Sequence, residues 1–182
     1  MTIEQLNSFT SNVAERELLK CCGSKRWATQ VSGTRPFVSL DQLIETADRV
    51  WCALEPQDWL EAFRSHPKIG EQQAAQTTAA EARAWSAEEQ GGTQTAAEHT
   101  KQALADGNRE YERRFGFIFI ICATGKSSEE MLASLRERLK HNRETELHAA
   151  AEEQSKITRL RLMKLVDGLG SLISDPWCAA SL

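Results

Sequence analysis

Two short segments of this chain hold the residue types of an acid/base site: His66-Pro67-Lys68-Ile69-Gly70 and Ser86-Ala87-Glu88-Glu89-Gln90-Gly91. An imidazole ordinarily titrates near neutrality, which makes histidine the commonest general acid/base. The residue before a proline avoids the helical region, so His66 is expected at a helix-to-loop junction with a restricted backbone. On a helix, Ser86, Glu89 and Gln90 stand at i, i+3 and i+4 and share one face. That face would set a hydroxyl, a carboxylate and an amide side by side. Each segment alone also has an ordinary structural explanation, a hydrogen-bonded histidine in one case and a solvated helix face in the other.

A third signal lies near the C-terminal end, in Ile157-Thr158-Arg159-Leu160-Arg161-Leu162. Two residues apart on a helix is roughly 200°, so Arg159 and Arg161 cannot both face the core. An arginine on the buried side needs an anionic partner, either Glu89 or a ligand carboxylate. The plainer alternative is that both reach solvent along their aliphatic stems.

Composition limits what such a site can serve. The chain is 41% apolar and 26% charged, an ordinary balance for a globular protein, and 182 residues suffice for a real core. The net charge of −4 comes without a basic stripe, so nucleic acid is not an expected partner. An anionic small molecule is compatible with that charge, because a single buried arginine can bind one. No apolar run approaches the ~20 residues that span a bilayer. The start, Met1-Thr2-Ile3-Glu4-Gln5, lacks the features of a signal peptide, and Ala180-Ser181-Leu182 is not the peroxisomal Ser-Lys-Leu signal. The expected compartment is the cytoplasm. Five cysteines (Cys21, Cys22, Cys52, Cys122, Cys178) without regular spacing argue against a disulfide framework. The four histidines fall in no zinc-ligand spacing, so no metal is expected.

The elements that must position these residues read as helices. Ala, Glu, Gln, Leu and Arg are plentiful, and Gly and Pro are sparse. Leu40, Leu43, Ile44, Ala47, Val50, Trp51 and Leu54 form one helical stripe, with Ser39 as N-cap and Gln42 completing a capping box. Pro56 opens a shorter helix with Trp59, Leu60 and Phe63, which Pro67 ends. A helix is expected in the second half of 71–88, stopped by Gly91-Gly92. Another runs over about 94–114, weakened near Gly107 and ended by Gly116. The run Phe117 to Ala123 is continuously apolar and has no second strand to pair with, so a buried helical or extended core segment is expected. Ser127 and Glu130 make a capping box for a helix with Met131, Leu132, Leu135 and Leu139. A last helix spans about 145–169, closed by Gly168 and Gly170. Val13, Leu18 and Leu19 suggest an early helix, with a short one near Trp27. The expected fold is all-α, a single compact domain of about eight helices without significant sheet. It would occupy residues 1–170, with 171–182 a loosely held tail.

Taken in order, several strings resemble one family. They are Trp27, Arg35-Pro36-Phe37, His66-Pro67-Lys68-Ile69-Gly70, Ser86-x-x-Glu89-Gln90, Asn108-x-x-Tyr111-x-x-x-Phe115-Gly116-Phe117-x-Phe119, and Leu160-Arg161-Leu162. Together they look like 2-oxo-4-hydroxy-4-carboxy-5-ureidoimidazoline (OHCU) decarboxylase, the last enzyme of the route from urate to allantoin. The likeness covers about residues 3–170 and is loosest over 72–84.

The resemblance implies cofactor-independent decarboxylation of OHCU to (S)-allantoin. The family's substrate carries a carboxylate and a hydroxyl on one ring carbon beside a C=N bond, so it contains its own electron sink and needs no cofactor. By the same resemblance, His66 is the general acid/base, and Glu89 orients or charge-balances it or binds the ring. Ser86 and Gln90 bind ureido and ring groups, with Ala87 and Glu88 alongside. Arg161 binds carboxylate or carbonyl oxygen, and Pro67 shapes the pocket floor. Phe119, Ile120, Ile121, Cys122 and Ala123 present backbone groups to the substrate. A homodimer is implied, as is work beside 5-hydroxyisourate hydrolase and urate oxidase. Two rival readings are a non-enzymatic all-α interaction module, which predicts an exposed apolar groove, and a cysteine redox enzyme using Cys122 or Cys21-Cys22.

Overall fold

The computed structural model describes residues 1–67 and 98–167. Among these residues the secondary structure is eight α-helices and no strand: α1 (Ile3–Ser8), α2 (Ser11–Cys22), α3 (Lys25–Ser32), α4 (Leu40–Cys52), α5 (Pro56–Phe63), α6 (Glu98–Phe115), α7 (Ser128–Arg138) and α8 (Arg143–Asp167). The all-α expectation holds, and so do the helices around Leu43, Trp59, Leu135 and Ile157. Helix α1 is an addition to that expectation. Its signal was local: Thr2 Oγ1 accepts from the Gln5 backbone N–H at 3.2 Å, and Gln5 Oε1 accepts from the Thr2 N–H at 2.8 Å, a reciprocal capping box.

Local chemistry sets most helix ends. Ser39 Oγ accepts from the Gln42 N–H at 3.2 Å, as its cap position requires. The expected return bond is displaced by one residue, because Gln42 Oε1 accepts from the Val38 N–H at 2.7 Å instead of from that of Ser39. Pro56 occupies the first turn of α5, where a missing N–H loses no helical bond. Ser127 and Glu130 close the expected box at the start of α7, at 3.2 and 2.6 Å. Gly116 ends α6 with φ +80°, its N–H donating to the Glu112 carbonyl at 2.8 Å.

Helix α6 runs through Gly107 without a break, contrary to the expected weakening. The tertiary reason is a close approach: a Cβ at Gly107 would lie 2.6 Å from Cδ2 of the fully buried Leu135 on α7. Glycine's helical penalty of about 1 kcal/mol is offset by letting two helices come together.

Helix α8 is the hub, packing against α2, α4, α5 and α6, while α3 sits on α2, α4 and α5. Three buried tryptophans lock this arrangement because each indole N–H finds a carbonyl. Trp27 donates to Ala47 at 3.0 Å, Trp51 to Ala151 at 2.9 Å and Trp59 to Trp51 at 3.1 Å. The N-terminal region is tied down by polar contacts. Arg35 Nη1 donates to the Leu6 and Phe9 carbonyls at 2.9 and 2.7 Å, satisfying the open end of α1. Asn7 exchanges two bonds with the Phe37 backbone at 2.7 and 2.9 Å.

The run from Phe117 to Ala123 has neither helical nor strand structure, and all but the half-buried Ile118 are buried. Its aromatics join a cluster in which Tyr111 meets Phe115, Phe117 and Phe119 with ring centroids 4.6, 5.7 and 5.3 Å apart. Burying each such ring contributes about 1.5–3 kcal/mol, which keeps an irregular backbone inside the protein.

Candidate active site

His66 lies three residues beyond α5, in a turn closed by its own N–H donating to the Phe63 carbonyl at 3.2 Å. Pro67 follows and disfavours helical backbone at His66. The residue is half-buried, but its Nε2 is fully buried and has no hydrogen-bond partner among the described residues. The turn is held close to the end of α2. Gly23 caps α2 with φ +85°, and a Cβ there would run into the Ser65 side chain, so the end of α2 lies against this turn where only glycine fits.

Helix α8 supplies the facing wall. Gln154, Thr158 and Arg161 stand at i, i+4 and i+7, the spacing of one helical face. They are 0%, 5% and 2% exposed, an unusual concentration of polar groups on a buried stripe. Gln154 Nε2 donates to Thr158 Oγ1 at 3.2 Å. The opposition of the two arginines is as the helix geometry requires. Arg161 is buried, whereas Arg159 is exposed and holds Asp48 of α4 at 2.8 and 2.5 Å.

Burial and then the positive charge of Arg161 push the His66 pKa down to about 3, against a smaller upward pull from the Gln154 amide. The near-neutral titration expected of this residue is therefore corrected: His66 is a neutral imidazole across the physiological range. It can accept a proton from a ligand or pass one between two ligand atoms.

Behind this wall, three backbone groups of the Phe119–Ala123 segment are held by side chains. The Ile120 carbonyl accepts from Arg138 Nη1 at 2.6 Å, the Cys122 N–H donates to Glu153 at 2.7 Å, and the Cys122 carbonyl accepts from Lys126 at 2.7 Å. The Cys122 N–H is thereby committed, while each of the two carbonyls keeps a second lone pair that a ligand can use. Arg138 also lies over the Phe119 ring, 4.7 Å from its centroid. Its partner Glu146 is fully buried and also receives the Tyr111 hydroxyl, whose proton burial holds in place.

Ser86, Ala87, Glu88, Glu89 and Gln90 lie outside the described residues, as do the helix expected before Gly91 and the tail 171–182. Of the remaining candidates, the structure brings His66 and Arg161 within electrostatic reach of each other. Gln154 and Thr158, which sequence reasoning missed, share their neighbourhood. The available signal was their spacing from Arg161 on an otherwise apolar helix face.

The rival readings find little support among the described residues. The Cys21 and Cys22 thiols are fully buried and held protonated, that of Cys22 pushed up to about 12 by burial. Such thiols are inert as nucleophiles. Val38 is the large apolar side chain exposed among these residues, which does not make the apolar groove an interaction module needs. No three of His, Cys, Asp and Glu among them converge as a metal-ligand set, and no described helix is long and apolar enough to cross a membrane.

Comparison with known proteins points one way. Residues 7–163 match the OHCU decarboxylase family model. The chain is 40% identical over 164 residues to the uric acid degradation bifunctional protein TTL of Arabidopsis thaliana, covering 90% of this chain and 50% of that protein. It therefore spans about half the length of that relative. It is 29% identical over 163 residues to 2-oxo-4-hydroxy-4-carboxy-5-ureidoimidazoline decarboxylase of Haloferax volcanii, covering 89% of this chain and 94% of that one. A crystal structure of OHCU decarboxylase in the presence of (S)-allantoin superposes with a TM-score of 0.69 at 38% identity, over 82% of this chain and 96% of that chain.

Proposed function

Since this chain belongs to the OHCU decarboxylase family, we propose that it is a carboxy-lyase converting OHCU to (S)-allantoin in urate breakdown, with His66 as the proton-transferring group. The observation that carries this reading is the neutral, buried imidazole facing the polar stripe Gln154-Thr158-Arg161 in a chain that shares the family's fold.

The substrate's chemistry fits such a residue. When CO2 departs, the electron pair of the broken C–C bond forms a C=C bond to the neighbouring ring carbon. The C=N pair moves onto nitrogen, which takes up a solvent proton. The product of this step is an enol, and two proton movements turn it into allantoin: the hydroxyl proton leaves oxygen, and a proton arrives at the carbon bearing the ureido group. These two movements cancel, so one neutral imidazole can take the first proton and return it to carbon. Delivery from a fixed side gives one enantiomer, and each tenfold of preference needs only about 1.4 kcal/mol between competing transition states.

Arg161 in this reading holds the carboxylate or a carbonyl oxygen, where a planar guanidinium offers two parallel donors. Glu89 orients or charge-balances His66 or binds the ring. Ser86 and Gln90 take the ureido and ring groups, with Ala87 and Glu88 beside them. Pro67 forms the floor, and backbone groups of Phe119–Ala123 close the pocket. The reading extends to a homodimer in the cytoplasm that works beside urate oxidase and 5-hydroxyisourate hydrolase. A bifunctional uric acid degradation protein among the relatives supports the pathway link.

The test is circular dichroism of allantoin formed from urate with urate oxidase and the hydrolase present. Formation of (S)-allantoin faster than the uncatalysed decay is expected. A racemic product at the uncatalysed rate overturns the assignment. His66→Asn is expected to abolish the enantiomeric excess in a protein that still folds.

A further inference from the structure

We propose that Gln154 is a positioning residue for His66: its Oε1 accepts a hydrogen bond from the His66 Nε2–H, which fixes the ring's tautomer and leaves Nδ1 as the reactive nitrogen. The inference rests on the reading of His66 as the proton-transferring residue.

Three observations carry it. Gln154 is fully buried on α8, a helix that packs against α5. Its Nε2 is already committed to Thr158 Oγ1 at 3.2 Å, so the other end of the amide is the end left over. Among the few buried side-chain atoms without a full hydrogen bond are two of opposite need, Gln154 Oε1 and His66 Nε2. Buried polar atoms are seldom left unpaired, and the Gln154 amide lies near enough to His66 to act on its ring.

The sense of the contact follows from the amide's other bond. With Nε2 given to Thr158, Oε1 is the atom left to face the ring, and a carbonyl oxygen can only accept, so the ring nitrogen it meets carries the proton. Of the charged groups on α3 and α8, the helices packed against α5, Arg161 is the one that acts on His66. It opposes protonation, so the amide supplies orientation without making the ring a cation. A histidine whose second nitrogen is fixed in this way presents its lone pair in one direction, and the tautomer is set by that second contact. Thr158 in turn fixes the amide, giving a relay from α8 to the ring.

The tautomer can be read directly on the full chain. With 15N-labelled histidine, two-bond proton–nitrogen correlations distinguish the two neutral forms, and loss of one pattern in His66→Asn assigns it. The expected result is a neutral Nε2–H form of His66 from pH 6 to 8. An Nδ1–H form overturns the proposal, because the amide would then have to be turned the other way.

Kinetics supply an independent readout. Gln154→Leu is expected to lower kcat by about tenfold or more with KM little changed, as losses of orienting partners do. Gln154→Glu puts a carboxylate against Nε2–H. The apparent pKa of the acid limb of the kcat/KM profile is then expected to rise by at least one unit. Unchanged profiles in both variants overturn the proposal. Should Gln154→Leu fail to fold, the wild-type tautomer and Gln154→Glu still decide. Full activity in His66→Asn would instead overturn the proposed function, while the wild-type tautomer would still decide whether Gln154 holds the ring.

Discussion

Arg138 of α7 and Glu146 of α8 form a buried ion pair in which Nε and Nη2 of the guanidinium lie 2.8 and 2.6 Å from the same carboxylate oxygen. The other oxygen meets His141 Nδ1 at 2.7 Å. The same guanidinium reaches the Ile120 carbonyl, so this pair anchors the irregular segment behind the candidate site. Breaking a buried pair strands the remaining charge and typically costs about 3–5 kcal/mol. Arg138→Met is expected to destabilise by that order in urea unfolding. The double variant R138M/E146L is expected to be more stable than R138M alone, because both charges are then gone. A double variant less stable than R138M would show that the pair's charges are not what matters.

Gly23→Ala tests whether the approach of α2 to the His66 turn is tight. The new methyl would meet both Ser65 Cβ at 2.6 Å and Ser65 Oγ, which is itself tied to the Ala62 carbonyl at 2.7 Å. The residue also sits at a positive φ that disfavours a side chain. Overpacking costs about 1–3 kcal/mol and the backbone conformation about 1 more. A loss of about 2 kcal/mol or more in urea unfolding is expected, together with a lower kcat from displacement of His66. A neutral effect on both would mean that the turn can move freely.

The depressed pKa of His66 makes stability depend on pH in a defined window. The folded value is about 3 and the unfolded value 6.5, so between them the unfolded chain binds a proton that the folded protein does not. Stability then rises with pH through this window and is lost as pH falls from 6.5 towards 3. One proton corresponds to a slope of about 1.4 kcal/mol per pH unit, moderated here because the residue is half-buried. Unfolding titrations at pH 5 and 7 should show a smaller difference for His66→Asn than for the unaltered protein. Identical differences in the two proteins would mean that His66 is not held neutral.

Arg161→Lys separates charge from geometry at the buried arginine. An ammonium keeps the charge but cannot offer two parallel donors. A fall in kcat/KM of about tenfold or more is expected, with the folded structure intact by circular dichroism, since a charged hydrogen bond is worth about 1.5–3 kcal/mol. An unchanged kcat/KM would rule out bidentate binding of the substrate.

The helices around Leu43, Trp59 and Leu135, the caps at Ser39, Pro56 and Ser127, and the opposition of Arg159 to Arg161 were legible in the sequence. Each follows from periodicity or from side chains within one turn of the backbone they satisfy. His66 at a proline-guarded helix end was legible for the same reason. What the sequence could not decide depends on partners far away in the chain. Gly107 reads as a helix breaker until Leu135 is placed against it. The Phe117–Ala123 run lies buried without regular structure, and three of its backbone groups are held by the side chains of Arg138, Glu153 and Lys126. Most of all, an imidazole has a near-neutral pKa in any list of residue types. Only folding places it in a buried site beside the charge of Arg161 and the amide of Gln154, and that environment decides which proton it can carry.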